Sequence, residues 1–246
     1  MGQWLGIFYQ ERHMAALICG SLAFDSIMTF EGRFAEQILP EQLHILNVSF
    51  LVPALRRDFG GCAGNIAYSL KLLGGEPLPM ATLGSDGGDY LLRLEGLGIS
   101  TRHVGMLADT YTAQAMIMTD RDNNQITAFH PGAMNHAHLN TIDASLGAKI
   151  AIVAPDGRDA MLQHAAQLHA AGIPFVFDPG QGLPMFNGQE LLTFVEQASW
   201  VAVNDYEAQM LCERTGLDLS ALSHKVQGLV VTLGAQGCQV WQQGQA

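Results

Sequence analysis

Short apolar runs alternate with helix-like segments along most of this chain, and this alternation restricts the folds it can adopt more than any other feature. Apolar runs with the length of buried strands recur in the second half, at 148–154, 175–177, 200–203 and 228–233. Helix-like segments lie between them, at 158–171, 191–197 and 206–215. Because strands joined by helical crossovers run parallel, we predict an α/β fold with a mainly parallel sheet and helices on its faces.

The first half of the chain continues this alternation but interrupts it twice. Its regular segments are a buried strand at 16–23, a helix that begins in the glycine-rich loop 60–65, a strand at 78–83 and a helix at 90–97. By contrast, residues 26–52 lack a helical period, and 111–129 form two extended runs around a polar turn. We expect antiparallel lid strands, within about 26–52 and 105–134, that form a small β lid inserted twice into one core.

Charge and cysteine content exclude several classes of protein. The 246 residues include 12 Lys and Arg against 23 Asp and Glu, a net charge of −11, which does not provide the basic face that nucleic acids require. No apolar run reaches the roughly 18 residues of a membrane span, so we expect no membrane partner. The four cysteines are far apart and lack a C-x-x-C pair, which favours reduced thiols in a cytoplasmic protein. We expect residues 1–13 to be an extension outside the fold.

Four small motifs follow predicted strands or begin helices, where open α/β sheets bind their ligands. They are Asp25, the loop 60–65, the segment 204–207 and the glycine turn 232–237. A carboxylate at Asp25, the Asn65 amide and free N–H groups at a helix start together suit a polyhydroxylated ligand such as a ribose. Each motif also has an ordinary structural interpretation: Asp25 as a turn residue, and 204–207 as a helix capping box.

Taken in chain order, these segments resemble the PfkB-type carbohydrate kinases, the group of ribokinase and adenosine kinase. The matching segments are FGGCAGNIAYSLKLLGG (59–75), TLGSDGGDYLLRLEGLGIST (82–101), NDYEAQML (204–211) and VVTLGAQG (230–237). The resemblance covers about 14–246, which we expect to be one kinase domain. It implies a ribokinase-like three-layer core with a mainly parallel sheet and a small β lid.

The resemblance also implies a reaction and a set of site residues. The reaction is transfer of the γ-phosphoryl group of ATP to a primary hydroxyl of a nucleoside or sugar. Residues implied to bind the substrate are Asp25, Gly60, Gly61 and Asn65, with Gln114 and Phe129 of the lid facing a base. Residues implied to lie on the ATP side are Asn204, Thr232, Gly234 and Gly237, and those implied to organise Mg²⁺ are Glu207 and Asp178. For Phe129, ordinary packing is an equally good interpretation.

Three further segments favour a nucleoside as substrate. HILNVSFLVPALRRDFGG (44–61), FHPGAM (129–134) and FDPGQG (177–182) are most similar to nucleoside and adenosine kinases. We therefore expect adenosine kinase activity, with a sugar kinase of the ribokinase or phosphosugar type as the alternative. A second copy of the chain, bound through the lid in a homodimer, is a further partner that the sequence allows.

One family motif has no counterpart in this sequence. It is a D-T-x-G-A-G-D-like stretch whose last Asp is the catalytic base, and nothing after Gly237 resembles it. We expect the catalytic Asp to lie beyond residue 246, and the 246 residues alone to have little or no kinase activity. The sequence is then either part of a longer kinase, which we favour, or a non-catalytic short form that binds ligand.

Overall fold

The computed structural model describes residues 15–38, 44, 45 and 47–246, so the predicted extension at 1–13 lies outside the described residues. The strands in this part of the chain are β1 (Ala15–Cys19), β2 (Ala23–Thr29), β3 (Ala54–Gly60), β4 (Glu76–Leu83), β5 (His103–Met106), β6 (Ala113–Thr119), β7 (Gln125–His130), β8 (Ile150–Val153), β9 (Phe175–Phe177), β10 (Trp200–Asn204), β11 (Gly228–Thr232) and β12 (Cys238–Trp241). The α-helices are α1 (Phe34–Gln37), α2 (Cys62–Leu72), α3 (Gly88–Gly96), α4 (Arg158–Ala170), α5 (Gly188–Gln197), α6 (Asp205–Thr215) and α7 (Leu219–Ser223).

The larger sheet contains eight of these strands in the order β12-β11-β10-β9-β8-β1-β4-β5. Every pair in it is parallel except β11 with β12. The strand order reverses between β1 and β8, because β4 and β5 extend the sheet to one side of β1 and the later strands extend it to the other. Such a reversal opens a crevice at the carboxyl ends of the two central strands, which is where α/β sheets bind ligands.

Strand β1 shows how the sequence produces three layers. Its successive side chains point to opposite faces of the sheet. Leu17 and Cys19 belong to the apolar cluster that includes residues of α4, α5 and α6, whereas Ile18 belongs to the cluster with α2 and α3. All three side chains are buried. The sheet is therefore covered by helices on both faces, which is why its strands are apolar without alternation.

The smaller sheet is the predicted lid, with the order β3-β2-β6-β7. Its two central strands, β2 and β6, run parallel, and each has an antiparallel partner on its outer side. The turn between β6 and β7 is the polar turn predicted within 111–129, and in it Asp120 accepts hydrogen bonds from the backbone N–H groups of Asp122 and Asn124. The predicted α/β fold with a mainly parallel sheet and a β lid is thus confirmed.

Several boundaries differ from the predictions. The first core strand ends at Cys19 instead of residue 23, and Asp25 is the third residue of lid strand β2 instead of following a core strand. The strand ends where Gly20 and Ser21 interrupt the apolar run, and apolar residues resume at Leu22. The lid strand β3 lies beyond the predicted segment 26–52, and β5 joins the large sheet instead of the lid.

Candidate active site

A cavity of about 870 Å³ is lined by the lid sheet and by residues at the carboxyl ends of β1, β8, β9 and β10. This volume lies in the range of small-molecule binding sites. Ser21 follows β1 and Asp156 follows β8, so the cavity lies over the reversal of strand order.

No helix in the described residues is both long enough and apolar enough to cross a membrane.

The lid contributes the carboxylate of Asp25 and the aromatic ring of Phe129 to the cavity wall. Asp25, Ala115 and Phe129 are aligned across β2, β6 and β7, and all three line the cavity. Two strand spacings separate Asp25 from Phe129, about 10 Å, and the small Ala115 between them leaves room for a ligand. Partial burial raises the pKa of Asp25, and the charge of Asp58, which faces it across β2 and β3, raises it further.

Two consecutive glycines support this carboxylate. A Cβ atom at Gly60 would lie 2.8 Å from Cγ of Asp25, so any other residue there would displace that carboxylate. Gly61 has a φ of +88°, and a Cβ there would lie 2.7 Å from the backbone nitrogen of Ala23. Glycine is thus required at position 61, because the backbone of the loop lies against the backbone of 21–23 at the joint between lid and core.

The amino terminus of α2 offers fewer free N–H groups than expected. The N–H of Cys62 donates to Oγ of Ser21 at 3.2 Å, and the N–H of Ala63 donates to the carbonyl of Ser21 at 2.9 Å. Asn65 lies in the first turn of this helix with an exposed side chain, and it is not among the described residues that line the cavity. These two N–H groups, which the sequence predicts to bind a ligand, are therefore bonded to Ser21, a residue that itself lines the cavity.

Asp156 lies in the floor of the cavity and was not identified from the sequence. Its side chain is only 2% exposed. Oδ1 accepts a hydrogen bond from the N–H of Gly157 at 2.8 Å, while the buried Oδ2 has no partner among the described residues. Burial raises the pKa of Asp156 from 3.8 to about 8, and the Gly157 hydrogen bond offsets only part of that effect. The sequence signal that could have identified Asp156 is its place just after the predicted strand 148–154, because α/β sheets bind ligands at the carboxyl ends of their strands.

Asp178 and Glu207 place two more carboxylates at the cavity. Burial raises the pKa of Asp178 from 3.8 to about 6, and repulsion by the charge of Glu207 adds to this. In the described part of the chain, no three His, Cys, Asp or Glu residues form a metal cluster. Oxygen donors from one or two carboxylates, completed by phosphate oxygens and water, are nevertheless the set that Mg²⁺ prefers, so these two residues fit that ion.

The segment 204–207 forms the capping box that its sequence allows. The Asn204 side chain accepts from the N–H of Glu207 at 2.8 Å, and the Glu207 carboxylate accepts from the N–H of Asn204 at 2.8 Å. Both bonds satisfy N–H groups at the start of α6. Glu207 also lines the cavity, whereas Asn204 is exposed and is not among the described residues of its wall.

The glycine turn after β11 lies at the same edge of the sheet, outside the cavity wall. Thr232, the last residue of β11, pairs with Asn204 of β10 and is exposed. Gly234 has a φ of +58° and Gly237 a φ of +92°, and the Gly237 carbonyl accepts from the N–H of Leu233 at 2.8 Å. The turn therefore presents an open backbone surface beside the cavity.

Gln114 lies on the opposite face of the lid from the expected position. It precedes the cavity-lining Ala115 in β6, and successive side chains of a strand alternate between faces. Its amide donates to Oγ of Ser26 at 2.6 Å. In this arrangement Gln114 ties two lid strands together on the side away from the cavity.

Comparisons with known proteins agree with this geometry. Residues 23–246 match the pfkB family of carbohydrate kinases. The nucleoside kinase of Methanocaldococcus jannaschii is 29% identical over 232 residues, which are 93% of this chain and 72% of that protein. Its solved structure superposes with a TM-score of 0.83 at 27% identity, over 93% of this chain and 73% of that one. The nucleoside kinase of Burkholderia thailandensis in complex with inosine is 54% identical, with a TM-score of 0.79, over 93% of this chain and 73% of that one.

The family resemblance and the kinase class predicted from the motifs are thereby confirmed. The matched residues 23–246 contain the glycine loop, the 204–207 segment and the final glycine turn, and the fold is shared with the solved relatives. The chain belongs to the pfkB family of carbohydrate kinases.

Proposed function

We propose that this chain binds a purine nucleoside, with adenosine as the first candidate, and belongs to an enzyme that phosphorylates its primary hydroxyl from ATP. The observation that carries the proposal is the row of Asp25, Ala115 and Phe129 over one cavity. A carboxylate accepts hydrogen bonds from ribose hydroxyls, and an aromatic ring about two strands away stacks on a base. Solved relatives also support a nucleoside, since the Burkholderia enzyme was captured with inosine and with ADP and inosine.

In this proposal each group has a chemical task. Asp25 orients the ribose through its hydroxyls, and Phe129 holds the base. Asp178 and Glu207 would hold Mg²⁺, which neutralises charge on the phosphate oxygens when bound. The exposed turn from Thr232 to Gly237, with Asn204 beside it, would receive ATP through backbone groups. Because ATP is the donor, we propose a cytoplasmic location.

The proton of the attacking hydroxyl needs a base, and the 246 residues lack the family's motif for it. Ligand binding is therefore the quantity to measure on this chain. A sugar as substrate is the alternative, and it would use Asp25 without any need for Phe129.

The test is calorimetric titration with adenosine, inosine, cytidine and ribose. Replacing Asp25 by Ala removes a charged acceptor and should weaken nucleoside binding at least about tenfold. Replacing Phe129 by Ala should weaken nucleoside binding about fivefold or more and leave ribose unaffected. Asp109→Ala, at an exposed carboxylate that does not line the cavity, is the control. Equal affinity for ribose and adenosine, or unchanged binding in D25A, would contradict the proposal.

We further propose that the outer lid face pairs with a second copy of the chain. Leu55, Met116 and Ile126 lie on the face away from the cavity and are 69%, 40% and 42% exposed. Isolated apolar residues are common on surfaces, but three on one sheet face form a patch that favours association. Sedimentation of the wild type should show a dimer that Met116→Glu dissociates. A wild-type monomer would exclude this partner.

A further inference from the structure

Tyr90 is a buried polar residue at the joint between lid and core, outside the cavity wall. It lies in the first turn of α3 and is 2% exposed. Its hydroxyl donates to the carbonyl of Gly60 at 2.7 Å. Burial raises the pKa of Tyr90 to about 12, so the hydroxyl keeps the proton that it donates. The rings of Phe24 and Phe59, both from the lid, pack against it at centroid distances of 5.6 and 5.1 Å.

The Gly60 peptide connects this hydroxyl to the cavity. One side of Gly60 is held by Tyr90 through the carbonyl, and the space where its side chain would be is filled by the carboxylate of Asp25. Gly60 also pairs with Ala23, two residues before Asp25 on β2. A shift of the Gly60 peptide therefore moves both the wall behind Asp25 and the strand that carries it.

A second glycine shows how closely the hydroxyl is placed. A Cβ atom at Gly64 of α2 would overlap the Tyr90 hydroxyl and lie 3.1 Å from Cζ. The hydroxyl is thus enclosed between α2 and the end of β3 and has one carbonyl to bind. Without it, the Gly60 carbonyl would be buried without this donor, a situation that drives a peptide to rotate towards water or another donor.

We propose that Tyr90 is a positioning residue for substrate binding, which acts through Gly60 on the carboxylate of Asp25. This inference rests on the proposed function, since it requires Asp25 to bind a nucleoside. Tyr90 touches no substrate in this scheme. It fixes the peptide against which Asp25 rests, and so it fixes where the carboxylate meets the ribose hydroxyls.

The experiment is a double-mutant cycle on the affinity for adenosine, measured by calorimetry on the 246-residue chain, with inosine as a second ligand. Tyr90→Phe keeps the ring and should weaken binding about five- to tenfold in the wild-type background. In the Asp25→Ala background the same change should have less than about a twofold effect, because the group on which it acts is gone. Tyr68→Phe, the same change at a residue 39% exposed on α2, is the matched control and should alter nothing.

The possible outcomes separate the two proposals. If wild type binds neither nucleoside, or D25A binds as well as wild type, the proposed function fails. If D25A weakens binding but Y90F does not, or the two losses multiply, Tyr90 does not act through Asp25 and this inference fails alone. Should Y90F not fold, Gly64→Ala displaces the hydroxyl while keeping Tyr90, and it should give the same loss and the same non-additivity; a loss that multiplies with D25A would overturn the inference.

Discussion

Replacing Asp156 by Asn should flatten the dependence of stability on pH. Between its ordinary pKa of 3.8 and its folded value of about 8, Asp156 keeps its proton in the folded chain and loses it in the unfolded chain. The folded state then binds more protons, so the free energy of unfolding falls as pH rises, by about 1.4 kcal/mol per pH unit. Above pH 8 the group is ionised in both states and its contribution becomes constant. Because Asn cannot ionise, the free energy of unfolding of D156N should not show this decrease with pH.

The size of the effect follows from the width of that window. About four pH units give an upper bound of roughly 5–6 kcal/mol in favour of D156N at pH 8. Water that enters the cavity reduces this figure, and about half of it would still exceed the error of a denaturation experiment. Below pH 4 the two proteins should differ by less than about 1 kcal/mol, because the Asn carbonyl can still accept from Gly157.

The assay is urea denaturation of both proteins at one-unit steps from pH 4 to 9. The difference between D156N and wild type should grow with pH and level off near pH 8. Asp178→Asn is the comparison: its folded pKa of about 6 ends the corresponding window two units earlier. Parallel curves for D156N and wild type would refute the reasoning, since they would mean that Asp156 is ionised in the folded state at neutral pH.

Two further substitutions test the joint between lid and core. Gly61→Ala should destabilise the fold by more than about 3 kcal/mol, because it adds a clash with backbone atoms to an unfavourable φ. Gly74→Ala, where φ is +83° and no described atom lies within 4 Å, should cost only about 1–2 kcal/mol in the same thermal melts. Asp86→Ala should cost about 1–3 kcal/mol, because the buried N–H of Thr112 loses its 2.8 Å acceptor. The control is Asp122→Ala, which removes an exposed ion pair at the tip of the lid and should change stability by less than about 1 kcal/mol. Equal losses of stability in D86A and D122A would contradict the burial argument.

Local features of the site were predictable because they depend on near neighbours in the chain. Helix α2 begins at the glycine loop, and the capping box at 204–207 needs only residues three positions apart. The carboxyl edge of the sheet as ligand site follows from the alternation of strands and helices. Each of these features depends on residues that are close in sequence or on the order of strands and helices, and both can be read from the sequence.

The features that sequence reasoning missed depend on distant contacts. The sequence predicts Asp25 at the end of a core strand, because only the short pair Gly20 and Ser21 marks the bend, and the contacts of Ser21 with the start of α2 lie about 40 residues along the chain. The sequence predicts Gln114 at the cavity, but the register of β6 against β2 decides on which face of the lid each side chain lies. Burial, not local pattern, raises the pKa of Asp156, and only the packed structure shows that burial.

The central strand pair of the lid constrains the order in which the protein folds. β2 and β6 belong to two separate excursions of the chain, and the bonded side chains of Ser26 and Gln114 lie 88 positions apart. Such a distant pairing carries a large loop-closure cost unless the intervening β4, α3 and β5 have already shortened the path. The lid should therefore assemble on a nascent chain only after residue 130 has been synthesised and these intervening elements have formed. A chain stalled before that point would carry the whole glycine loop 60–65 but no complete lid to cover a substrate.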